Sequence, residues 1–494
     1  MHSNIFREYD IRGVVGEHLT DETVSILGRA IGTFFVRNNA RRIAIGYDAR
    51  ESSPRFCDLL SEGFNATGCD VVLIGKVPTP VLYHTAHTKD VDGGVMITGS
   101  HNPPDHNGFK ICLGRSTLFG SQIQEIKNIA LSEPPASAGG HNAMSEPPAS
   151  AGGQNAMSEP PASAGGQNAM SEPPASAGGQ VTGSVNSIDV LNDYCIDIAS
   201  RISVGPRKLK AIVDAGNGMG GVTAVPVYEA LGVELVKLFI EPDSRFPNHH
   251  PDPTVTENLE DTIRAVIESN ADVGLAFDGD GDRLGVVDEN GRIIWGDELM
   301  ILLSRSVLES KPAATIIAEV KCSQNLFDDI EKHGGKPVMW KAGHSLIKAK
   351  MKETGAALAG EMSGHIFFAD RFYGFDDATY AGARVLEILS KSDKPLSELL
   401  ADIPPTFSTP ELRIDCPDEI KFDVVSEIAK HFTATHEVIT IDGARIIFDH
   451  GWGLVRASNT QAILVLRFEA DSSEYLNEMR GLVESKVRVL LGTR

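Results

Sequence analysis

An α/β protein of several domains is what this sequence predicts, and three observations carry the prediction. The 494 residues exceed what a single core organises, and length alone suggests roughly three to four domains. Short β-branched apolar runs alternate with amphipathic helical stretches, the pattern of α/β units with largely parallel sheets. The composition, 41% hydrophobic, 23% charged and 6% aromatic, is that of a chain able to build cores.

Taken in order, the runs RRIAIGYD (41–48), CDVVLIG (69–75), GGVMITGS (93–100), LKAIVDAG (209–216), VELVKLFI (233–240), ADVGLAFDGD (271–280) and ATIIAEV (314–320) read as buried strands. DETVSILGRAIGTFFVRN (21–38) and NLEDTIRAVIESN (258–270) read as helices between them. The last segment differs. Strands around RIIFDHGWGLVRAS (445–458) and QAILVLRFEA (461–470) flank helical patterns at 418–431 and 473–490, an α+β arrangement. The expected domains are 1–131, 184–290, 291–404 and 405–494, the last opening at Pro404-Pro405.

Between the first two lies a tandem repeat of period 13, SEPPASAGG[H/Q]NAM, filling 132–180. Each unit has two prolines, two glycines and no large hydrophobe but Met. Such a unit cannot bury enough surface to offset its ordering entropy, so 132–183 is expected to be a disordered linker.

The balance of 45 Lys+Arg against 67 Asp+Glu gives a formal charge of −22. That excludes a nucleic-acid partner, which needs a basic footprint. It also excludes an anionic membrane surface. A phosphorylated substrate would have to be met by locally converging cations. The six cysteines are dispersed without metal-site spacing. The opening MHSNIFREYDIRG lacks an apolar leader, and no run of about 18 apolar residues occurs. The cytoplasm is the expected compartment.

Five motifs carry chemistry. In Thr98-Gly99-Ser100-His101-Asn102-Pro103-Pro104 a serine leaves a buried strand on a stiff loop able to present its hydroxyl. In Asp278-Gly279-Asp280-Gly281-Asp282-Arg283 three alternating carboxylates repel one another unless a cation sits among them, and all-oxygen ligands suit Mg²⁺ or Ca²⁺. An EF-hand reading fails because Arg283 stands where that loop needs glycine. Glu361 and Ser363, in Gly360-Glu361-Met362-Ser363-Gly364-His365, can hydrogen-bond vicinal hydroxyls, although on this motif alone a plain polar turn is the better reading. Arg456-Ala457-Ser458-Asn459-Thr460 offers a guanidinium fork, two hydroxyls and an amide for a phosphate. Gly216-Asn217-Gly218-Met219-Gly220-Gly221, with Glu241 downstream, matches a dinucleotide fingerprint and supports a rival oxidoreductase reading. Tight strand–helix turns need glycine for steric reasons alone.

With FREYDIRG at 6–13, the motifs at 98–103, 278–283, 360–365 and 456–460 resemble, in order, those of the α-D-phosphohexomutase superfamily, most closely its bacterial phosphomannomutase/phosphoglucomutase group. The resemblance implies four domains around a central cleft: three related α/β domains with mixed sheets and a C-terminal α+β domain. It implies a phosphorylated Ser100 and Mg²⁺ held by Asp278, Asp280, Asp282 and a phosphoserine oxygen. It makes Glu361 and Ser363 hydroxyl readers, and Arg456, Ser458, Asn459 and Thr460 the site for the non-reacting phosphate. Tyr9, Arg12, His101, Lys110, Arg283, Lys321, His344 and His365 fall where the family places active-site residues. The implied reaction interconverts hexose 1- and 6-phosphates of mannose or glucose through a hexose 1,6-bisphosphate, with glucosamine phosphate as the alternative sugar. Lys110, His101 and His365 are the candidate bases. The phosphohexose is the expected partner, and a monomer the expected state. The family has a short connector where this chain has its repeat.

Overall fold

The computed structural model describes residues 1–132, 183–459 and 461–492. The expected linker, within 133–182, and Thr460 lie outside the described residues.

The first sheet runs β1 (Ile11–Val14), β2 (Arg42–Tyr47), β3 (Asp70–Lys76), β4 (Gly93–Ile97), β5 (His106–Leu113), β6 (Ser116–Thr117) and β7 (Val185–Ser187) along the chain. In space its order is β1-β5-β4-β2-β3-β7, with β6 on β5. The second contains β8 (Lys210–Asp214), β9 (Glu234–Leu238), β10 (Val273–Phe277), β11 (Leu284–Asp288) and β12 (Ile293–Ile294), ordered β12-β11-β10-β8-β9. The third contains β13 (Thr315–Glu319), β14 (Lys336–Trp340), β15 (Leu358–Gly360) and β16 (Ile366–Phe368), ordered β14-β13-β15-β16.

These sheets share one plan. A central strand pairs in parallel on both sides (β2, β8, β13), and one of its neighbours (β4, β10, β15) pairs antiparallel with the next strand (β5, β11, β16). The sheets are therefore mixed, with the parallel strands in the middle. All residues of β4, β10 and β11 are buried, which is why they read as unbroken apolar runs. The three strongest motif loops occupy the same place in each plan: 98–105 joins β4 to β5, 278–283 joins β10 to β11, and 361–365 joins β15 to β16.

The fourth sheet is antiparallel throughout: β17 (Phe407–Ser408), β18 (Leu412–Asp415), β19 (Glu437–Ile439), β20 (Ala444–Phe448), β21 (Gly451–Ala457) and β22 (Ile463–Ala470). Its helices Lys421–Thr433 and Ser473–Gly492 cover an apolar core separate from the rest. One continuous core joins residues of the first three sheets. The fourth domain meets the third through Val320, Trp452 and Leu454 and through two buried arginines. Arg445 donates to the carbonyls of Val320 and Cys322, and Arg467 to that of Lys321 and to Asp297.

Two expected boundaries shift. β7 lies beyond residue 184 yet pairs with β3, so the chain returns to the first sheet after the repeat. The helix Ser121–Ser132, which ends on the first residue of the repeat, packs on the first domain as well, so the chain leaves for the repeat and returns from it in the same domain. β12 lies beyond 290 yet completes the second sheet on β11. Strands of two or three residues carry no periodic signal, so sequence pattern could not assign them.

Candidate active site

Ser100 leaves β4 with φ 48°, a left-handed conformation that costs a non-glycine residue energy, and is buried. Its hydroxyl donates to Asp278 Oδ2 at 2.9 Å, and His101 Nδ1 lies 3.2 Å from it. The serine loop and the aspartate loop touch backbone to backbone: a Cβ on Gly279 would stand 2.3 Å from the Ser100 carbonyl oxygen. Glycine is thus required at 279 for the two loops to approach.

Asp278, Asp280 and Asp282 are all buried, with carboxylate oxygens within 4.8 Å of one another. Lys110, reaching in from β5, donates to Asp280 at 2.7 Å and also to Asp282. Thr79 donates to Asp280 at 2.5 Å. One lysine cannot neutralise three carboxylates, and the imbalance shows in their titration. Burial, then Asp282 and Asp280, push Asp278 well above the ordinary carboxylate range. Burial also works against Asp282, but Lys110 and His365 outweigh it and hold that group well below. Asp280 Oδ1 is buried without a hydrogen bond. A buried all-oxygen set with an unpartnered lone pair and one carboxyl forced towards neutrality fits a hard divalent cation.

Beside this set stands the third loop. His365 Nε2 is 3.2 Å from Asp282 and its Nδ1 is 2.8 Å from Glu361. Burial opposes its charge, yet Asp282 and Glu361 raise it to about 9. Arg283 and His365 form a β-bridge, and Leu284 N–H donates to the Gly364 carbonyl at 3.0 Å, so the second and third loops are sewn together. Glu361 accepts from Gly343 N–H at 2.6 Å and is buried, and Ser363 Oγ lies 3.2 Å from His365 Nδ1. A plain solvated turn does not account for that placement.

The remaining candidates ring this centre. The Tyr9 hydroxyl donates to the Ala342 carbonyl at 3.0 Å and accepts from Asn459 at 2.7 Å, bridging the first, third and fourth domains. Gly343, at φ 128°, leaves room for that ring, because a Cβ there would lie 2.5 Å from it. His344 packs edge-on to Tyr9 at 6.0 Å and lies 3.5 Å from Asp376. Each outer cation has a carboxylate partner: Arg12 with Asp10 at 2.5 Å, Lys321 with Glu411 at 3.2 Å, Arg456 with Asp442 at 3.0 Å. Ser458 is buried at the turn after β21, where its carbonyl accepts from Lys421 at 2.5 Å.

Four family models match the chain in the order of these domains. Phosphoglucomutase/phosphomannomutase alpha/beta/alpha domain I matches residues 3–136, domain II 192–291, domain III 295–407, and the C-terminal domain 411–485. A phosphomannomutase/phosphoglucomutase of Pseudomonas putida is 44% identical over 485 residues, 98% of this chain and 95% of the relative. The chain belongs to the phosphoglucomutase/phosphomannomutase family. A phosphoglucomutase of Neisseria meningitidis is 43% identical over 494 residues, 99% of this chain and 98% of its own length. Among solved structures, a family protein of Burkholderia thailandensis superposes with a TM-score of 0.84 at 40% identity, covering 99% of this chain and 98% of the other.

This family member uses its glycine-rich turn for packing. Cβ atoms on Gly218, Gly220 and Gly221 would strike the Gly279 backbone, the Phe277 side chain and the Ile240 backbone at 2.8, 2.4 and 2.9 Å. Met219 N–H donates to Gly279 at 2.9 Å. The turn thus supports the aspartate loop, and protein already fills the approach a pyrophosphate would need. Sequence reasoning missed Asp48, Arg50, Thr79, Asp376 and Asp442. The one signal for the first two is Asp-x-Arg directly after β2, which ends at Tyr47. Among the described residues no helix is long and apolar enough to cross a membrane.

Proposed function

We propose that this chain interconverts hexose 1- and 6-phosphates of glucose and mannose, with Ser100 as the phosphoryl carrier. The observation that carries the reading is the Ser100 hydroxyl, 2.9 Å from Asp278 and set against a buried carboxylate triad. The names of the relatives, phosphomannomutase/phosphoglucomutase and phosphoglucomutase, support the sugar assignment.

Phosphorylated Ser100 gives its phosphoryl group to the free hydroxyl of the bound hexose monophosphate. The serine P–O bond breaks as the sugar P–O bond forms; the sugar hydroxyl gives up its proton and the serine oxygen gains one, leaving a hexose 1,6-bisphosphate and free Ser100. That intermediate turns over in the site, and its other phosphate returns to Ser100. Added hexose 1,6-bisphosphate would therefore also serve as an activator that rephosphorylates the enzyme. Such a transfer is mainly positioning and charge stabilisation.

Asp278, Asp280 and Asp282 would hold Mg²⁺ together with a phosphoserine oxygen. The ion supplies Lewis-acid stabilisation to the transferring group. Arg12, Lys110 and Arg283 add positive charge on the protein side. Glu361 is ionised, since His365 and Gly343 N–H outweigh the effect of burial, and it accepts from sugar hydroxyls together with Ser363. Arg456, Ser458 and Asn459, with Lys321 and Tyr9, would hold whichever phosphate is not reacting; Thr460 belongs to the same motif.

Of the three candidate bases, Lys110 and His365 keep their protons between carboxylates, whereas burial and then Arg283 hold His101 well below its ordinary value. His101 is thus the neutral one, 3.2 Å from Ser100 Oγ. The test is turnover of glucose 1-phosphate, mannose 1-phosphate and glucosamine 1-phosphate by the purified protein with Mg²⁺. The first two should be substrates and the third poor; exclusive use of the third would reassign the enzyme as a glucosamine-phosphate mutase.

A further inference from the structure

We infer that Arg50 is a positioning residue for phosphoryl transfer: its guanidinium fixes the Gly99–His106 loop and thereby the direction of the Ser100 hydroxyl. The inference rests on Ser100 being the phosphoryl carrier.

Arg50 is 2% exposed and meets Ser100 at its main-chain carbonyl. A guanidinium has five N–H donors in a rigid plane, and here all five are used. Nε donates to Asp48 at 3.2 Å, Nη1 to the carbonyls of Pro103 at 2.5 Å and His106 at 2.8 Å, and Nη2 to those of Ser100 at 2.9 Å and Asn102 at 2.6 Å. Four of the five acceptors are main-chain oxygens, three in the loop that carries the serine and the fourth on His106, where that loop enters β5.

Asp48 completes the mould. It accepts from Gly99 N–H at 3.1 Å, from Ser53 at 2.7 Å and from Arg50 N–H at 3.0 Å. Gly99 lies flat on the guanidinium, where a Cβ would stand 2.4 Å from it. Ser100 is held at φ 48°, a strained conformation that persists only where the surroundings over-determine it. Its carbonyl is the point of constraint, since Arg50 grips it from one side and Gly279 abuts it from the other.

Lysine has three donors on a flexible tip and cannot span four carbonyls. Arg50→Lys therefore keeps the charge and loses the mould. Its kcat should fall about 100-fold, the scale of a misplacement near 1 Å, while KM stays within about threefold because the sugar and phosphate contacts are untouched. The phosphate cradle and the hydroxyl readers do not touch Arg50, so a variant that merely loosened the fold would lower the melting temperature without this split. Hydrogen exchange in the peptide spanning 98–106 should quicken in the variant, independently of activity. Gly99→Ala, which presses on the guanidinium without removing it, should show the same split and decides the matter if Arg50→Lys does not fold. Wild-type kcat in either folded variant, or a KM that rises in step with a lost kcat, overturns the inference. If the wild-type protein shows no mutase turnover, the failure lies with the phosphoserine reading instead, and the exchange result still reports on the mould.

Discussion

Ser100 and its neighbours in space are joined by short bonds between residues far apart in sequence, and each bond has its own test. Ser100→Ala removes the proposed phosphoryl carrier and should lower turnover at least about 10³-fold with the fold intact by circular dichroism. Asp280→Asn takes one charge from a set in which Lys110 and Thr79 already serve the same carboxylate. It should weaken the Mg²⁺ response of turnover by about 10-fold or more, read as a right-shifted activation curve. Glu361→Ala should impair glucose and mannose phosphates alike, and an effect limited to melting temperature would return that loop to a structural role. These residues were legible because they cluster in short motifs whose chemistry is strained without a ligand. Arg50, Asp376 and Asp442 were not, because each is a single charge that also meets residues 28 to 100 positions away.

The repeated sheet plan explains why the motifs fall where they do. In each of the first three domains the functional loop is the turn from a buried parallel strand into an antiparallel one, which points it out of the sheet at its strand end. The long strands and helices were legible from apolar runs and period. The pairing of β1 beside β5 was not, since registers between distant segments leave no mark in one sequence.

Helix Ala378–Lys391 carries a pH-dependent term of its own. Its N-cap Asp377 accepts from Tyr380 N–H at 2.8 Å and from the Tyr194 hydroxyl at 2.9 Å, and burial raises its carboxyl to about 7. In the unfolded chain it would titrate near 3.9. Between these values the folded state binds the extra proton, so the contribution is full at low pH and is lost as pH rises through about 7. Asp377→Asn keeps a good cap without the charge. Its melting temperature should fall less than that of the wild type between pH 5.5 and pH 8, and should match or exceed it at pH 8. Equal slopes would show that Asp377 is not the titrating group.

Across the whole molecule, all four domains contribute to one site: Ser100 from the first, the aspartates from the second, Glu361 from the third and Asn459 from the fourth, with Tyr9 tying three of them together. Cations converge there despite the formal charge of −22, each of Arg12, Lys110, Lys321 and Arg456 paired with a carboxylate. The segments that flank the repeat, the helix ending at Ser132 and the strand paired with β3, make none of these contacts. Replacing 133–182 with a Gly/Ser connector of about 15 residues, which reaches roughly 50 Å when extended, should therefore keep turnover within a few-fold of wild type. The shorter loop lowers the closure entropy by roughly 1 kcal/mol, so the melting temperature should hold or rise. A large loss of turnover in a well-folded variant would give the repeat a function.

The central claim is that the phosphoryl group on Ser100 is the one the sugar receives. The direct measurement is to label the enzyme with radioactive phosphate from glucose 1,6-bisphosphate, add unlabelled glucose 1-phosphate with Mg²⁺, and follow the label over single turnovers. The label should start on the peptide containing Ser100 and pass to sugar phosphate at the rate of turnover. Label that stays on that peptide while unlabelled product accumulates would contradict the account.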